Sequence, residues 1–177
     1  MKVRFFTTLE QVDRDVLQGS SVVVIDVLRA TSTIVAGIES GAKEIIPVED
    51  TETASRLVRP SDRGAKLLAG ERKGLPIEGF DLFNSPLELT PDIVEGKTVI
   101  LTTSNGTRAI VAASRASRAV VCCINNVGAV ADAVRSEREL VIMCSGAGGK
   151  LAMEDLLCGG LLIIELGGEV DPVSLDD

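Results

Sequence analysis

The chain of 177 residues has no histidine, tryptophan or tyrosine, and four phenylalanines are its whole aromatic content. Without histidine there is no Ser-His-Asp or Cys-His catalysis, no imidazole metal ligand and no phosphohistidine intermediate. At 2% aromatic residues there is also little surface for stacking bases. Positive charge is in deficit: 18 Lys and Arg against 26 Asp and Glu leave a net charge of −8. That balance disfavours non-specific attraction to nucleic acid or to an anionic membrane, so any anionic ligand has to be held by locally concentrated donors. The four cysteines, Cys122, Cys123, Cys144 and Cys158, form no C-x-x-C pair, and they read as reduced, buried thiols rather than a zinc or redox site. Long apolar runs are missing too. MKVRFFTTLEQVDRDV is too weakly apolar for a secretion signal, and LLCGGLLIIELGG is too short and glycine-broken to span a bilayer. The expected location is the cytoplasm.

What is present is ordinary for a globular protein, 45% hydrophobic and 25% charged, at a length that predicts one domain over residues 1–177. Seven runs of strand length recur: KVRFF, SVVVID, EIIPV, AKLLAG, KTVIL, AVVCCI and ELVIMC. Most are rich in Val and Ile and apolar on both faces. Between several of them lie TSTIVAGIES, NGTRAIVAAS, NVGAVADAVRS and LAMEDLLCGGLLIIEL, whose apolar residues recur at helical spacing. Doubly apolar strands alternating with helices predict an α/β fold, a three-layer α/β/α domain with a largely parallel or mixed sheet. Residues 70–97 break this rhythm with several Gly and Pro and read as a long ordered loop.

In a parallel α/β sheet the ligand sits beyond the carboxyl ends of the strands. Here those positions are polar: Asp26 after VVVI, Glu71, Arg72 and Lys73 after LLAG, Thr102 to Gly106 after VIL, Asn125 and Asn126 after VVCCI, Ser145 and Gly146 after VIMC. Any one of them also suits a helix cap or a turn. For Asp26, capping the helix that contains ATST and serving as a ligand are evenly matched readings. As a set they suggest a site. Hard oxygen donors without His or paired Cys suit Mg²⁺, with Asp26 and Glu71 the best candidates. Arg29 and Arg72 offer planar forks for phosphate or sulfonate oxygens. Other phosphate motifs fail. Asp26-Val27-Leu28 lacks the second carboxylate of an Asp-x-Asp phosphatase, and the loop from Cys144 ends in Lys150 where a cysteine phosphatase needs Arg. SGAGGK has neither Walker spacing nor the following Ser or Thr.

Taken together, VVVIDVLRATSTIVAGIESGA, LLAGERKGLPIEGFDLFNSP, TTSNGTRAI and CSGAGGKLAMEDLLCGG resemble the 2-phosphosulfolactate phosphatase family, in order and approximate spacing over nearly the whole chain. The resemblance implies a Mg²⁺-dependent acid phosphatase that converts 2-phospho-3-sulfolactate to sulfolactate and phosphate in coenzyme M biosynthesis. Carried onto this chain, it implies catalytic roles for Asp26, Arg29, Glu71 and Arg72. Substrate binding falls to Thr31, Ser32, Asn84, Ser85, Thr103, Asn105, Gly106, Arg108, Ser145 and Gly146. The metal candidates are Asp26, Glu71, Asp81, Glu154 and Asp155. Glu154 and Asp155 begin a helix, where carboxylates interact favourably with the macrodipole, and that structural reading is preferred, with outer-shell support of the metal as the functional alternative. The nucleophile is a water, or a hydroxyl such as Ser32 or Ser85. Phe83 stands where many members have a small residue, and the family's usual C-terminal elements do not follow the final Leu175-Asp176-Asp177. The expected ligand is a small anionic phosphorylated substrate, with no nucleic-acid or membrane partner and room for a homodimer. The competing readings are a phosphatase of another hydroxy acid or sugar phosphate, and a non-catalytic phosphate-binding module.

Overall fold

Strands apolar on both faces must find hydrogen-bonding neighbours and cover on each side, and the seven runs do so in two separate sheets. The computed structural model describes residues 1–62, 64–167 and 171–172; the expectation about the last three residues lies outside them. Sheet 1 contains β1 (Lys2–Phe6), β2 (Ser21–Ile25), β8 (Arg118–Cys122), β9 (Glu139–Cys144) and β10 (Asp171–Pro172), in the order β10-β1-β9-β2-β8 and parallel throughout. Sheet 2 contains β3 (Glu44–Pro47), β4 (Lys66–Arg72), β5 (Leu75–Pro76) and β7 (Thr98–Thr102) in the order β3-β7-β4-β5, with β6 (Leu82–Phe83) also paired to β4. It is mixed, because β5 runs antiparallel to β4. The α/β class is as the sequence predicts, but the strands divide between two sheets.

Alternation along the strands sets the layers. In sheet 1, Val23, Ile25 and Ile142 pack against α6 (Val127–Val134) and α7 (Met153–Glu165), while Val22, Val24, Val141 and Met143 pack against α1 (Arg14–Leu17) and α5 (Gly106–Ala112). Each such buried Val or Ile contributes about 1.5–3 kcal/mol of apolar burial. On sheet 2, Val99 and Leu101 join Ile34 of α2 (Ala30–Glu39) and Val94 of α4 (Pro91–Val94). Its other face is covered at Ile100 by Ala54 of α3 (Thr51–Arg56). Helix α2 contacts both β3 and β8, and α5 contacts both β2 and β3, so these two helices lie between the sheets. Gly37 makes this fit: a Cβ there would come within 2.6 Å of Leu89 and 2.8 Å of Ile45. Residues 70–97 are less irregular than expected, carrying the end of β4 together with β5, β6 and α4. Among the described residues no helix is long and apolar enough to cross a membrane.

Candidate active site

Helices α2 and α5 begin just beyond the carboxyl ends of β2 and β7, so their first turns meet where the ends of both sheets converge. Between them is a cleft of about 200 Å³ lined by residues of the β2–α2, β4–β5 and β7–α5 connections, with Asn84 from the segment after β6.

Asp26 and Glu71 are its two buried carboxylates, each at 7% exposure. For Asp26, Oδ1 accepts from Ala30 N at 3.0 Å, so the residue does cap α2, and Oδ2 accepts from Ser145 Oγ at 2.9 Å. Each oxygen retains a second lone pair. Burial pushes its pKa up, partly opposed by these two hydrogen bonds, and nearby Glu71 and Glu154 raise it further. The carboxylate lies so close to Gly106 that a Cβ there would overlap it and the Ala30 methyl. Thr31 supports the same loop, its Oγ1 donating to Asp26 O at 2.7 Å. Ser32 Oγ donates to Val27 O at 2.7 Å, which turns that hydroxyl back into its own loop rather than toward the cleft.

Asp155, only 2% exposed, reaches across from the first turn of α7. Its Oδ1 accepts from Val27 N at 2.8 Å and its Oδ2 from Gly146 N at 3.3 Å, fastening the loops after β2 and β9 to each other. Burial is the main cause that pushes its pKa up to about 6; Asp26 and Glu154 add to the rise, while the two amide bonds oppose it. Ser145 Oγ stands between the two acids, 2.9 Å from Asp26 Oδ2 and 3.5 Å from Asp155 Oδ2. Asp155 therefore does more than oppose a helix dipole: it is a buried clamp one hydroxyl away from Asp26. Glu154, on the same turn, is half-buried and does not line the cleft.

Adjacent residues of a strand point to opposite faces, and this separates Glu71 from Arg72. Glu71 lines the cleft, its Oε1 accepting from Ser104 N at 2.6 Å and its Oε2 from Gly74 N at 2.7 Å. Arg72 is outside the lining. Its guanidinium donates to Glu71 O, Glu49 O and Thr102 Oγ1 at 2.8, 2.9 and 2.6 Å, tying β4 to β7. Arg29 does line the cleft and stacks on Phe83, its Cζ 4.4 Å from the ring centroid. Thr103 and Asn105 are also in the lining. Thr103 Oγ1 accepts from Thr107 N at 3.0 Å, and Asn105 Oδ1 accepts from Gly148 N at 3.1 Å.

Asn84 is 3% exposed and lines the cleft, yet its Oδ1 has no hydrogen-bond partner. A buried, unsatisfied carbonyl costs about 1–3 kcal/mol, which a cation or donor in the cleft would recover. Besides Arg72 and Glu154, three more expected residues are outside the cleft. The Asp81 carboxylate is exposed and accepts from Leu68 N at 2.8 Å, beside a different cavity. Arg108 is exposed and pairs with Glu10 at 3.8 Å. Ser85 does not line the cleft. Conversely, Leu28, Lys73, Gly74 and Ser104 line it without a role assigned from sequence. Their only signal was position, just after β2, β4 and β7.

Among the described residues no three His, Cys, Asp or Glu side chains gather as a ligand cluster. The cleft does fit Mg²⁺, which needs only one or two carboxylates with waters and phosphate oxygens. Asp26 and the orphaned Asn84 Oδ1 are the donors suited to hold it. Cys144 is fully buried and its thiol is pushed up by burial, so it supplies no thiolate nucleophile.

Comparison with known proteins agrees over nearly the whole length. The model of the family described as 2-phosphosulpholactate phosphatase matches residues 6–177. A probable 2-phosphosulfolactate phosphatase of Caldanaerobacter subterraneus subsp. tengcongensis is 48% identical over 165 residues, covering 93% of this chain and 68% of that protein. One from Caldicellulosiruptor saccharolyticus is 44% identical over 183 residues, covering all of this chain and 75% of its own. One from Clostridium perfringens strain SM101 is 43% identical over 169 residues, covering 94% and 68%. With a match of this extent, the chain belongs to the 2-phosphosulpholactate phosphatase family.

Proposed function

We propose that the protein is a Mg²⁺-dependent phosphoric monoester hydrolase whose substrate is 2-phospho-3-sulfolactate, working in the cleft between the two sheets. The observation that carries this reading is that a buried carboxylate, Asp26, and Asn84, whose buried Oδ1 is unpartnered, line one cleft together with Arg29 and Lys73. The substrate is densely negative, and an acidic protein binds it only where donors converge. Arg29, steadied on Phe83, meets the phosphate oxygens. Asp26, oriented by Ala30 N and Ser145 Oγ, uses its remaining lone pairs to align a water for in-line attack on phosphorus and to accept its proton. Glu71 holds the loop walls by accepting from Ser104 and Gly74. Bound Mg²⁺ supplies charge neutralisation of the phosphate oxygens and polarisation of phosphorus. A water is favoured over Ser32, whose hydroxyl is committed to Val27 O.

The role we assign is in coenzyme M biosynthesis, in the cytoplasm, with a small anionic substrate and neither nucleic acid nor membrane as partner. A homodimer is the assembly to look for by light scattering. The deciding experiment follows phosphate release from 2-phospho-3-sulfolactate beside a panel of phosphorylated hydroxy acids and sugar phosphates, with Mg²⁺ and after exhaustive chelation. Turnover is expected to favour phosphosulfolactate and to vanish on chelation. No release from that ester refutes the substrate, preference for a panel member reassigns it, and undiminished turnover under chelation refutes the metal.

A further inference from the structure

Strands β4 and β5 pair with Arg72 opposite Leu75, leaving Lys73 and Gly74 as a two-residue hairpin turn. Both are left-handed, Lys73 at φ 53° and Gly74 at φ 77°. Two positive φ values in a two-residue turn mark type I′, whose first position favours Asn, Asp or Gly. A lysine there goes against the local rule, and among the described residues it is the only non-glycine with positive φ. Strained positions of this kind gather where a side chain has to be aimed at a ligand.

The turn's backbone is tied down from within the site. Lys73 N donates to Ser104 Oγ at 2.8 Å, Gly74 N to Glu71 Oε2 at 2.7 Å and Ser104 N to Glu71 Oε1 at 2.6 Å. The Lys73 side chain is left exposed and lining the cleft, with no ion-pair partner among the described residues. Arg29 enters that cleft from the end of a sheet 1 strand, whereas Lys73 enters from sheet 2. Two cations on walls built from different sheets match a ligand carrying two separated anionic groups. An ammonium is a compact point charge with three N–H donors, so it can meet the oxygens of a sulfonate on the sheet 2 wall while the Arg29 fork takes the phosphate on the other.

Resting on the phosphatase reading above, we propose that Lys73 is a specificity-determining residue that holds the sulfonate of the substrate, with Glu71 and Ser104 positioning it. Lys73→Asn removes the cation and installs a residue that the turn prefers; Lys73→Arg retains the charge. Calorimetry with Mg²⁺ present measures the affinity of each protein for 3-sulfolactate, lactate and inorganic phosphate. Lys73→Asn should melt at the same temperature or higher, while its sulfolactate-to-phosphate affinity ratio falls at least about tenfold and Lys73→Arg recovers most of it. The ratio cancels the general loss of positive field in the cleft. An unchanged ratio overturns the assignment, as does a wild type that does not bind sulfolactate. An equal loss for lactate, which has the carboxylate but no sulfonate, overturns it as well. Because these ligands bind without turnover, an inactive wild type that shows the expected ratio refutes the phosphatase reading and leaves Lys73 assigned.

Discussion

Replacing Asp26 with Asn separates its two roles, because the amide can keep the cap while losing the charge. The Asn oxygen takes over from Oδ1 in accepting from Ala30 N. The Asn NH₂ group replaces Oδ2, so Ser145 Oγ must turn to accept from it. The Ser145 proton then goes to Gly146 O at 3.3 Å or to Asp155 Oδ2 at 3.5 Å. Exchanging one charge-assisted hydrogen bond for a neutral one costs on the order of 1 kcal/mol. Against that, the substitution removes an ion that burial and the neighbouring Glu71 and Glu154 make unfavourable. The terms oppose each other, so stability at pH 7 should change by less than about 1 kcal/mol. Chemistry has no such compensation. An amide neither accepts the proton of the attacking water nor offers a charged oxygen, so turnover on phosphosulfolactate should fall by roughly two to four orders of magnitude. Steady-state kinetics at saturating Mg²⁺, with thermal melting in parallel, measures both quantities. A stable variant with near-normal kcat refutes the reasoning and leaves Asp26 as a helix cap alone.

The raised pKa of Asp155 makes stability depend on pH. Its folded value of about 6 exceeds the ordinary 3.8, so its contribution is fully present below 3.8 and is lost as pH rises through about 6. That rise corresponds to roughly 3 kcal/mol; with divalent cations chelated, wild type should lose stability from pH 4 to 7 relative to Asp155→Asn, and parallel denaturation curves would count against it. Phe83→Leu removes the ring beneath Arg29, and losing a cation–π contact of about 0.5–1.4 kcal/mol should raise KM roughly two- to tenfold with kcat little changed. An unchanged KM would mean that Arg29 holds its position without the ring. Gly106→Ala drives a methyl into the Asp26 carboxylate and the Ala30 methyl. It should cost about 1–3 kcal/mol in denaturant unfolding and displace Asp26 enough to abolish most turnover; full activity would show that the first turn of α5 can shift without consequence.

Much of the architecture was legible because it rests on short-range patterns. All seven apolar runs are strands, and the four segments with helical spacing are α2, α5, α6 and α7. The rule that ligands gather at strand carboxyl ends pointed to Asp26, Glu71, Thr103 and Asn105, which line the cleft, and equally to Arg72, Asn125, Asn126, Ser145 and Gly146, which do not. Division into two sheets was not legible, because a strand apolar on both faces looks the same whichever sheet it joins.

Side-chain direction and long-range partners belong to the same class of hidden facts. Glu71 and Arg72 are equally polar neighbours, yet the strand's two-residue period sends one into the cleft and the other onto Glu49 and Thr102. Asp81, Arg108 and Ser85 belong to the same motifs as cleft residues but turn elsewhere, since sequence proximity fixes a residue's neighbourhood and not the direction of its side chain. Asp155 reaches Val27 across 128 residues, and no local pattern encodes such a bond. The sequence by itself determined the α/β class, the identity of the strands and helices, and the donor chemistry available to a polyanionic ligand. Only the tertiary structure decided which donors share the cleft and that Asn84 is left there unsatisfied, because burial and hydrogen-bond partnership arise when distant segments pack together.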